Sequence, residues 1–358
     1  MSENKTNAQN IAAKISPKKM IWPVLIGLSV VGFMFYQNFD IKAFDVVHFT
    51  WHAVFWLIIA FVLMAFRDIG YIIRIRILTD NDFSWRQAIR VIFLWEFTSA
   101  ITPSAVGGTG LAVIFVNKEG ISVGRSTAVV MATSFLDELY FIIMFPLMIL
   151  LISKSELFPE ASQTATELYW AAVIGYSIKL AYIIVLSYGL FKNPRAIKRL
   201  LINLFKLRFL RKWRYNAAKA GNEIMQSSAE LIKKPFSFWV KAFGATFFSW
   251  TARYLVVNAM FLAFFVVHDH LLLYARQLVM WIIMLVSPTP GGSGFSEWVF
   301  TEYLGDFLPD IAGIVVVMAT LWRLITYYPY LIIGALITPK WIKEKFTNNT
   351  NGDEKENI

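Results

Sequence analysis

Two glycine-rich runs and a set of charges inside apolar segments are the residues of this chain whose types and spacing suit chemistry. The runs read TPSAVGGTG at 102–110 and SPTPGGSG at 287–294. The charges are Arg67, Asp68, Glu96, Asp137, Glu138, Lys179, Arg253, Glu297 and Arg323. Glycine and proline break helices and free backbone N–H groups, while a charge in apolar surroundings must be paired, protonated or hydrated. Together they favour a site that attracts anions.

The composition excludes most soluble classes of protein. Of 358 residues, 57% are hydrophobic and only 16% are charged, which is far from globular averages. A water-soluble chain of this size cannot bury so many apolar side chains, whereas a bilayer accepts them on every helix face. Nucleic-acid binding is therefore not expected despite the net charge of +10. With no cysteine, thiol catalysis, disulfides, cysteine zinc sites and iron–sulfur clusters are excluded, and no cofactor is expected.

Apolar segments of about 20 residues predict membrane-spanning helices. Six segments qualify, near residues 20–36, 51–73, 126–152, 168–191, 238–266 and 311–338. Two further apolar segments, 87–116 and 271–304, are broken in the middle by the glycine-rich runs. Each half is too short to span the hydrocarbon core comfortably.

The distribution of positive charge predicts how the segments are oriented, because loops rich in Lys and Arg stay in the cytoplasm. Residues 192–241 contain thirteen cations and two anions, and basic residues also flank the two ends of the chain. Charges that flank the second span on the cytoplasmic side are Arg74, Arg76, Arg86 and Arg90. We assign 1–19 and 339–358 to cytoplasmic tails and 192–237 to a basic cytoplasmic loop. This assignment is consistent only if both broken segments return to the side from which they enter. They are therefore predicted to be re-entrant helical hairpins.

An internal repeat supports this topology. The letters VVMAT follow both glycine clusters, at 129–133 and 316–320, and an arginine precedes each cluster by 40 and 38 residues, at Arg67 and Arg253. Repeat one covers about 51–152 and repeat two about 238–338, within a membrane domain of residues 20–338. We predict an all-α polytopic membrane protein with six transmembrane helices and two re-entrant hairpins in an inverted repeat.

The hairpin tips are predicted to meet near the membrane centre. Thr109 and Ser293 are candidate N-caps, and the helices that follow would direct free amide groups and positive dipole ends to that centre. The alternative is that glycine and proline only permit tight packing of the hairpins.

The candidate substrate-binding residues combine the glycine clusters with the buried charges. They are Arg67, Glu96, Gly107, Gly108, Thr109, Asp137, Glu138, Arg253, Gly291, Gly292, Ser293, Glu297 and Arg323. The alternative for each charge is an ion pair between helices. We expect Glu96 and Glu297 to lie outside permanent ion pairs, because both are on the hairpins.

Two enzymatic or metal-binding alternatives are weak. The run GGSG at 291–294 fits an intramembrane serine protease, but every histidine precedes Ser293 and is predicted at the outer surface, so the serine has no base. His48 and His52 have the i, i+4 spacing of metal ligands, although a surface role is more common.

The run PTPGGSGFSE at 288–297, together with the earlier glycine block, resembles the flippase-like membrane domain family. That family includes the N-terminal half of the bacterial lysylphosphatidylglycerol synthase, the multiple peptide resistance factor. The resemblance implies that Glu297 matches the family's glutamate and Asp137 an acidic residue after the first cluster. Thr133 and Ser134 stand where relatives often have Glu-Arg. It also implies binding or translocation of a phospholipid, an aminoacylated phospholipid, a polyprenyl-linked sugar or a hopanoid.

The sequence therefore predicts a lipid translocator of the bacterial inner membrane that binds an anionic or aminoacylated head group between the hairpins. The alternatives are a small-anion transporter on the same scaffold, or a non-transporting subunit that docks a lipid-modifying enzyme through its basic loop. Enzyme activity is not expected, because no transferase domain follows the last apolar segment.

Overall fold

The computed structural model describes residues 47–102, 108–158, 165–193, 225–287, 294–311 and 313–347, with isolated positions at 29, 195, 199, 203, 222, 289 and 292. No strand occurs among these residues. The α-helices are α1 Trp51–Leu78, α2 Trp85–Ile101, α3 Thr109–Lys118, α4 Val123–Leu151, α5 Lys154–Leu157, α6 Ala165–Ser187, α7 Phe236–Leu262, α8 His270–Ile283, α9 Phe295–Leu304, α10 Ile314–Thr326 and α11 Tyr328–Ile342. Short 3₁₀ or π turns lie at Tyr188–Lys192, Met284–Val286, Gly305–Phe307 and Lys343–Thr347.

Four described helical segments are long and apolar enough to cross a membrane. They are Trp51–Leu78, Val123–Leu151, Thr166–Lys192 and Ile314–Lys345. Polar caps set where two of them begin: Thr50 Oγ1 accepts from the Ala53 N–H at 3.2 Å, and Ser122 Oγ accepts from the Arg125 N–H at 3.3 Å. All four overlap predicted spans, which confirms the all-α membrane class.

The other two predicted spans have different outcomes. Segment 20–36 lies outside the described residues apart from position 29. Segment 238–266 forms helix α7, which is 27 residues long but contains Lys241 and Arg253 and is not among the four apolar segments. The predicted total of six spans therefore stays a prediction.

The last predicted span, 311–338, bends in the middle. Helix α10 ends at Thr326 and α11 begins at Tyr328, with Tyr327 at φ −126° and ψ −56° between them. Pro329 has no N–H and disfavours helical geometry in the preceding residue, so it interrupts the helix here.

Helices α1 and α7 form an antiparallel pair at the centre of the bundle. At one end of the pair, Lys234 donates to Asp80. In the middle, Ser249 Oγ donates to the Arg67 carbonyl at 2.5 Å. Beyond the other end, the rings of Phe49 and Phe264 are in contact. Small residues allow the two backbones to approach closely. Arg67 and Arg253, the arginines of the predicted repeat, are therefore near the middle of one helix pair.

The first broken segment forms a helical hairpin. Gln87 Nε2, in the first turn of α2, donates to the carbonyl of Glu119, just after α3, at 2.9 Å. The Arg90 Nε also lies 3.0 Å from Glu119 Oε1. Both ends of the segment therefore lie together at one end of the bundle, while residues 103–107 at the tip lie outside the described residues.

The second broken segment has the same form at the opposite end. Arg276 Nη1, in α8, donates to the carbonyl of Tyr303 at 3.2 Å and pairs with Asp306 Oδ1 at 2.5 Å, near the end of α9. Its Nε donates to the Glu156 carbonyl at 2.8 Å. Residues 288, 290, 291 and 293 of this tip lie outside the described residues.

The loops separate into two groups at opposite ends, as the charge pattern predicts. At one end, Arg125 pairs with Asp82 at 2.5 Å, and Lys234 with Asp80 at 2.5 Å. Lys345 near the C-terminus pairs with Glu119 at 3.0 Å at that same end. The loop 118–125 and the described end of the basic loop therefore lie together.

A methyl group at the contact of α1 and α7 tests this packing. A Cβ on Gly70 would lie 2.9 Å from the Ala245 carbonyl oxygen and the Ser249 Cβ, whereas one on Gly244 meets nothing within 4 Å. We expect Gly70→Ala to lower the thermal unfolding midpoint in detergent by an amount equivalent to about 1–3 kcal/mol. Gly244→Ala should cause no loss, and equal midpoints for the two variants would contradict the packing.

Cysteine labelling tests the orientation, because the chain has no cysteine of its own. We expect cysteines at Ser122 and Lys233 to react with an impermeant maleimide only when the cytoplasmic face is accessible. Cysteines at Ser155 and Asp310 should react from outside intact cells. Labelling of the cysteines at positions 122 and 233 from different sides of the membrane would refute the topology.

Candidate functional site

Arg67 joins three helices through a buried ion-pair cluster. Its guanidinium lies 2.9 Å from Asp68 Oδ1 and 2.5 Å from Glu96 Oε2 on α2. Tyr330 on α11 donates to Asp68 at 2.9 Å, and the Arg67 guanidinium lies 4.6 Å from the centre of the Tyr71 ring. Arg67 is thus held by two carboxylates within the protein, although its buried Nε has no hydrogen-bond partner among the described residues.

Asp137 receives three donors from the two central helices. Arg74 Nη1 and Nη2 bind its two oxygens at 2.5 and 3.3 Å, and Trp250 Nε1 donates to Oδ1 at 2.8 Å. Arg74 is not among the candidate residues predicted from the sequence, where its position at the end of the second span suggests a charge that flanks the membrane. The signal was present: Arg74 follows Arg67 by seven residues and so lies on the same face of α1.

Glu138 is separated from this cluster although it follows Asp137 directly. Lys179 Nζ, on α6, lies 3.1 and 3.0 Å from the two Glu138 oxygens. The same ammonium lies 4.3 Å from the centre of the Phe141 ring. This pair fastens α6 to α4 and leaves neither charge unpartnered.

Glu297 is buried at the start of α9 and has partners at both oxygens. Oε2 accepts from the Gly294 N–H at 2.8 Å and from Ser296 Oγ at 2.7 Å, while Oε1 lies 3.0 Å from Arg323 Nε. The Arg323 guanidinium lies 3.7 Å from the centre of the Tyr327 ring. The expectation that Glu96 and Glu297 lie outside ion pairs is therefore wrong, because each carboxylate is placed against a neighbouring arginine.

The predicted N-caps are also corrected. Thr109 is the first residue of α3, and Gly108 takes the N-cap position without a side-chain hydrogen bond. At the second hairpin Gly294 is the N-cap, and the Glu297 carboxylate occupies its N–H group, so this helix end is not free as predicted. Ser293 itself lies outside the described residues, as do Gly107 and Gly291.

The described glycines of the two clusters have structural roles. A Cβ on Gly108 would lie 2.5 Å from Ser99 Oγ on α2, so glycine permits the close contact of the two hairpin arms. Gly292 has a φ of +70°, which side chains other than glycine rarely adopt. These observations agree with the alternative that glycine serves hairpin packing.

Arg253 differs from the other charges within the predicted spans and hairpins. Its guanidinium lies 4.3 Å from the centre of the Trp281 ring and 5.7 Å from that of Trp250. Among the described residues no carboxylate oxygen lies within 4.0 Å of it, while Arg67 and Glu96 act on it electrostatically at longer range. The residue is half-buried.

Arg67 and Arg253 both lie near the middle of a long helix. Trp51 and Phe236 are 90% and 82% exposed, as is typical of aromatic residues at a membrane interface. At a rise of 1.5 Å per residue, Arg67 is about 24 Å along α1 from Trp51, and Arg253 about 26 Å along α7 from Phe236. Each is within about 6 Å of its helix midpoint.

Comparison with known proteins identifies the scaffold. The model of the lysylphosphatidylglycerol synthase transmembrane region matches residues 20–334. The chain belongs to this family. A UPF0104 membrane protein of Archaeoglobus fulgidus is 24% identical over 337 residues, covering 91% of this chain and 98% of that protein. No solved structure matches the chain.

Family membership confirms the resemblance seen in the sequence and, with the apolar helices, a multi-pass membrane protein. The described site brings together Arg67, Glu96, Asp137 and Arg253 around the central helix pair, whereas Glu297 and Arg323 form a separate pair. No group of three His, Asp or Glu side chains in the described part of the chain could hold a metal ion. His52 Nε2 accepts from Trp56 Nε1 at 3.0 Å.

Removing the negative charge of Glu297 tests whether the buried pair holds the second hairpin. Glu297→Gln leaves Arg323 buried opposite a neutral group, so we expect a loss of about 3–5 kcal/mol in unfolding free energy. Combining it with Arg323→Gln should recover part of that loss. Asp82→Asn breaks an exposed pair and should cost about 1 kcal/mol or less. Equal losses for Glu297→Gln and Asp82→Asn would show that the buried pair is not needed.

Proposed function

We propose that this protein translocates a polar lipid, binding its anionic head group at Arg253 between the two hairpins while the acyl or prenyl tails stay in the bilayer. The lipid is moved without covalent change, so the protein acts as a transporter and not as an enzyme. The basic end of the bundle faces the cytoplasm, and the membrane is the cytoplasmic membrane.

The observation that carries the proposal is that, in the described part of the chain, no carboxylate contacts the guanidinium of Arg253. A charge near the bilayer centre costs about 2.5–3.5 kcal/mol or more when unpaired. The other charges of the central cluster reduce that cost through ion pairs, at 2.5 Å for both Arg67 with Glu96 and Arg74 with Asp137. Arg253 instead lies against aromatic rings and stays partly exposed. A phosphate is the natural counter-ion for such a guanidinium.

The two hairpins support a transport role. Each is closed at its base by an arginine and a carboxylate, Arg90 with Glu119 at one end and Arg276 with Asp306 at the other. Equivalent closures at opposite faces are what an inverted repeat of two re-entrant hairpins would produce. Opening one base while the other stays closed would expose Arg253 to each face in turn.

A small soluble anion is the second candidate substrate, because the same guanidinium would bind it. The exposed apolar side chains along the spans, such as Ile184 at 59% and Leu336 at 68%, are equally compatible with both candidates. Uptake of a labelled anion into vesicles without lipid movement would select this candidate.

Neutralising Arg253 tests the proposal directly. In reconstituted vesicles containing labelled phosphatidylglycerol, we expect Arg253→Gln to slow transfer between leaflets by about tenfold or more, since a charge-assisted hydrogen bond contributes roughly 1.5–3 kcal/mol. Arg86→Gln removes an exposed arginine at the start of α2 and serves as the matched control. Equal rates for wild type and Arg253→Gln, with both proteins folded, would refute the mechanism.

A further inference from the structure

We propose that the head group bound at Arg253 is a phosphate ester bearing hydroxyl groups, such as a glycerol or sugar phosphate, and that it bears no amine. The inference rests on the proposed function and narrows its substrate class. It follows from two features of the site: the carboxylates of the described cluster are already ion-paired, and the buried hydroxyl of Tyr254, the residue after Arg253, has no partner among the described residues.

An unpaired carboxylate is the strongest partner for a lipid amine, and the described cluster offers none. Arg67 holds Asp68 and Glu96 at 2.9 and 2.5 Å, and Asp137 accepts from Arg74 and from Trp250. An incoming ammonium would have to displace one of these donors. That would leave a buried guanidinium unpaired, which is strongly unfavourable.

The remaining acids are equally occupied. Glu138 binds Lys179 at 3.0 Å, and Glu297 binds Arg323 at 3.0 Å while it accepts two further hydrogen bonds. Their oxygens are therefore not free acceptors for the amines of an aminoacylated lipid.

Aromatic rings can also bind a cation, but the guanidinium of Arg253 already occupies the rings at this site. Its guanidinium lies over Trp281 at 4.3 Å and faces Trp250 at 5.7 Å. A second cation on these rings would be repelled by the guanidinium. Neither the carboxylates nor the aromatic rings of the site are therefore available to an amine, whereas the guanidinium can bind an anion.

The unpartnered hydroxyl belongs to Tyr254, the residue after Arg253. Tyr254 is 3% exposed, and its hydroxyl oxygen has no hydrogen-bond partner among the described residues. Its ring packs against Trp250 at 5.9 Å and Tyr274 at 5.5 Å, while the hydroxyls of Tyr140 and Tyr274 bond to each other. A buried phenol seeks a polar partner. A hydroxyl on the head group, next to a phosphate on Arg253, would supply one.

Lipids that differ only in the head group distinguish the possibilities. Purified protein is incubated with phosphatidylglycerol, phosphatidic acid, phosphatidylethanolamine and lysylphosphatidylglycerol of identical acyl chains, and bound lipid is measured by native mass spectrometry. We expect phosphatidylglycerol to bind about tenfold more tightly than either amine-bearing lipid. Equal or tighter binding of an amine-bearing lipid would overturn the inference.

Tyr254→Phe isolates the hydroxyl, and its fold should be kept because the removed group has no partner. We expect it to weaken phosphatidylglycerol binding about fivefold, the effect of one lost hydrogen bond, and to leave phosphatidic acid within about twofold. Tyr182→Phe, at a ring that is 43% exposed, is the control and should change neither. Equal weakening of both lipids by Tyr254→Phe would overturn the role of the hydroxyl.

Leaflet transfer of the same four lipids separates this inference from the proposed function. Selective binding of phosphatidylglycerol without transfer would refute translocation and support the head-group class. Transfer that depends on Arg253 but favours the amine-bearing lipids would support translocation and refute the head-group class. Absence of binding for all four lipids would refute both.

Discussion

The cost of leaving a charge unpaired in an apolar environment is the constraint on which this structure depends. The chain places five acids and several basic residues in segments otherwise suited to the hydrocarbon core. The fold meets the constraint by pairing them between helices that are distant in sequence. Arg67 reaches Glu96 on the first hairpin, and Arg74 reaches Asp137 on α4. These pairs fix how α1, α2 and α4 are placed around α7.

The same constraint explains how the interrupted helices are tolerated. A hairpin that ends inside a membrane leaves backbone groups without helical partners, and these must be satisfied by the protein or by water. At the second hairpin the Glu297 carboxylate accepts the Gly294 N–H and is itself neutralised by Arg323. One acidic side chain thus caps a helix and balances a buried cation. Removing it disturbs both arrangements at once.

Arg253 differs in its partners from the other arginine near the middle of the central helix pair. Arg67 pairs with two carboxylates, whereas Arg253 lies against Trp281 and contacts no carboxylate among the described residues. Two arginines that the sequence pattern makes alike are therefore placed in different surroundings by the fold. This difference is the basis of the proposed binding role of Arg253.

The sequence by itself determined the membrane class, four of the spans, the two breaks in apolar segments and the grouping of the described loops at two ends. These follow from hydropathy, charge and helix breakers, which are local properties of the chain. Family membership was likewise carried by a contiguous motif at 288–297. The candidate list also contained Arg67, Glu96, Asp137 and Arg253, because a charge in an apolar span is visible without a structure.

Only the tertiary structure decided which charges meet. Glu96 and Glu297 are ion-paired against expectation, and Arg74 belongs to the site although it resembled a flanking charge. Pairing depends on the crossing of helices that are distant in sequence: Trp250 and Asp137 are 113 residues apart, and Tyr330 and Asp68 are 262 apart. Such distances depend on packing and leave no mark in the local pattern. For the same reason the sequence placed Arg253 among the candidates but could not distinguish it from its neighbours.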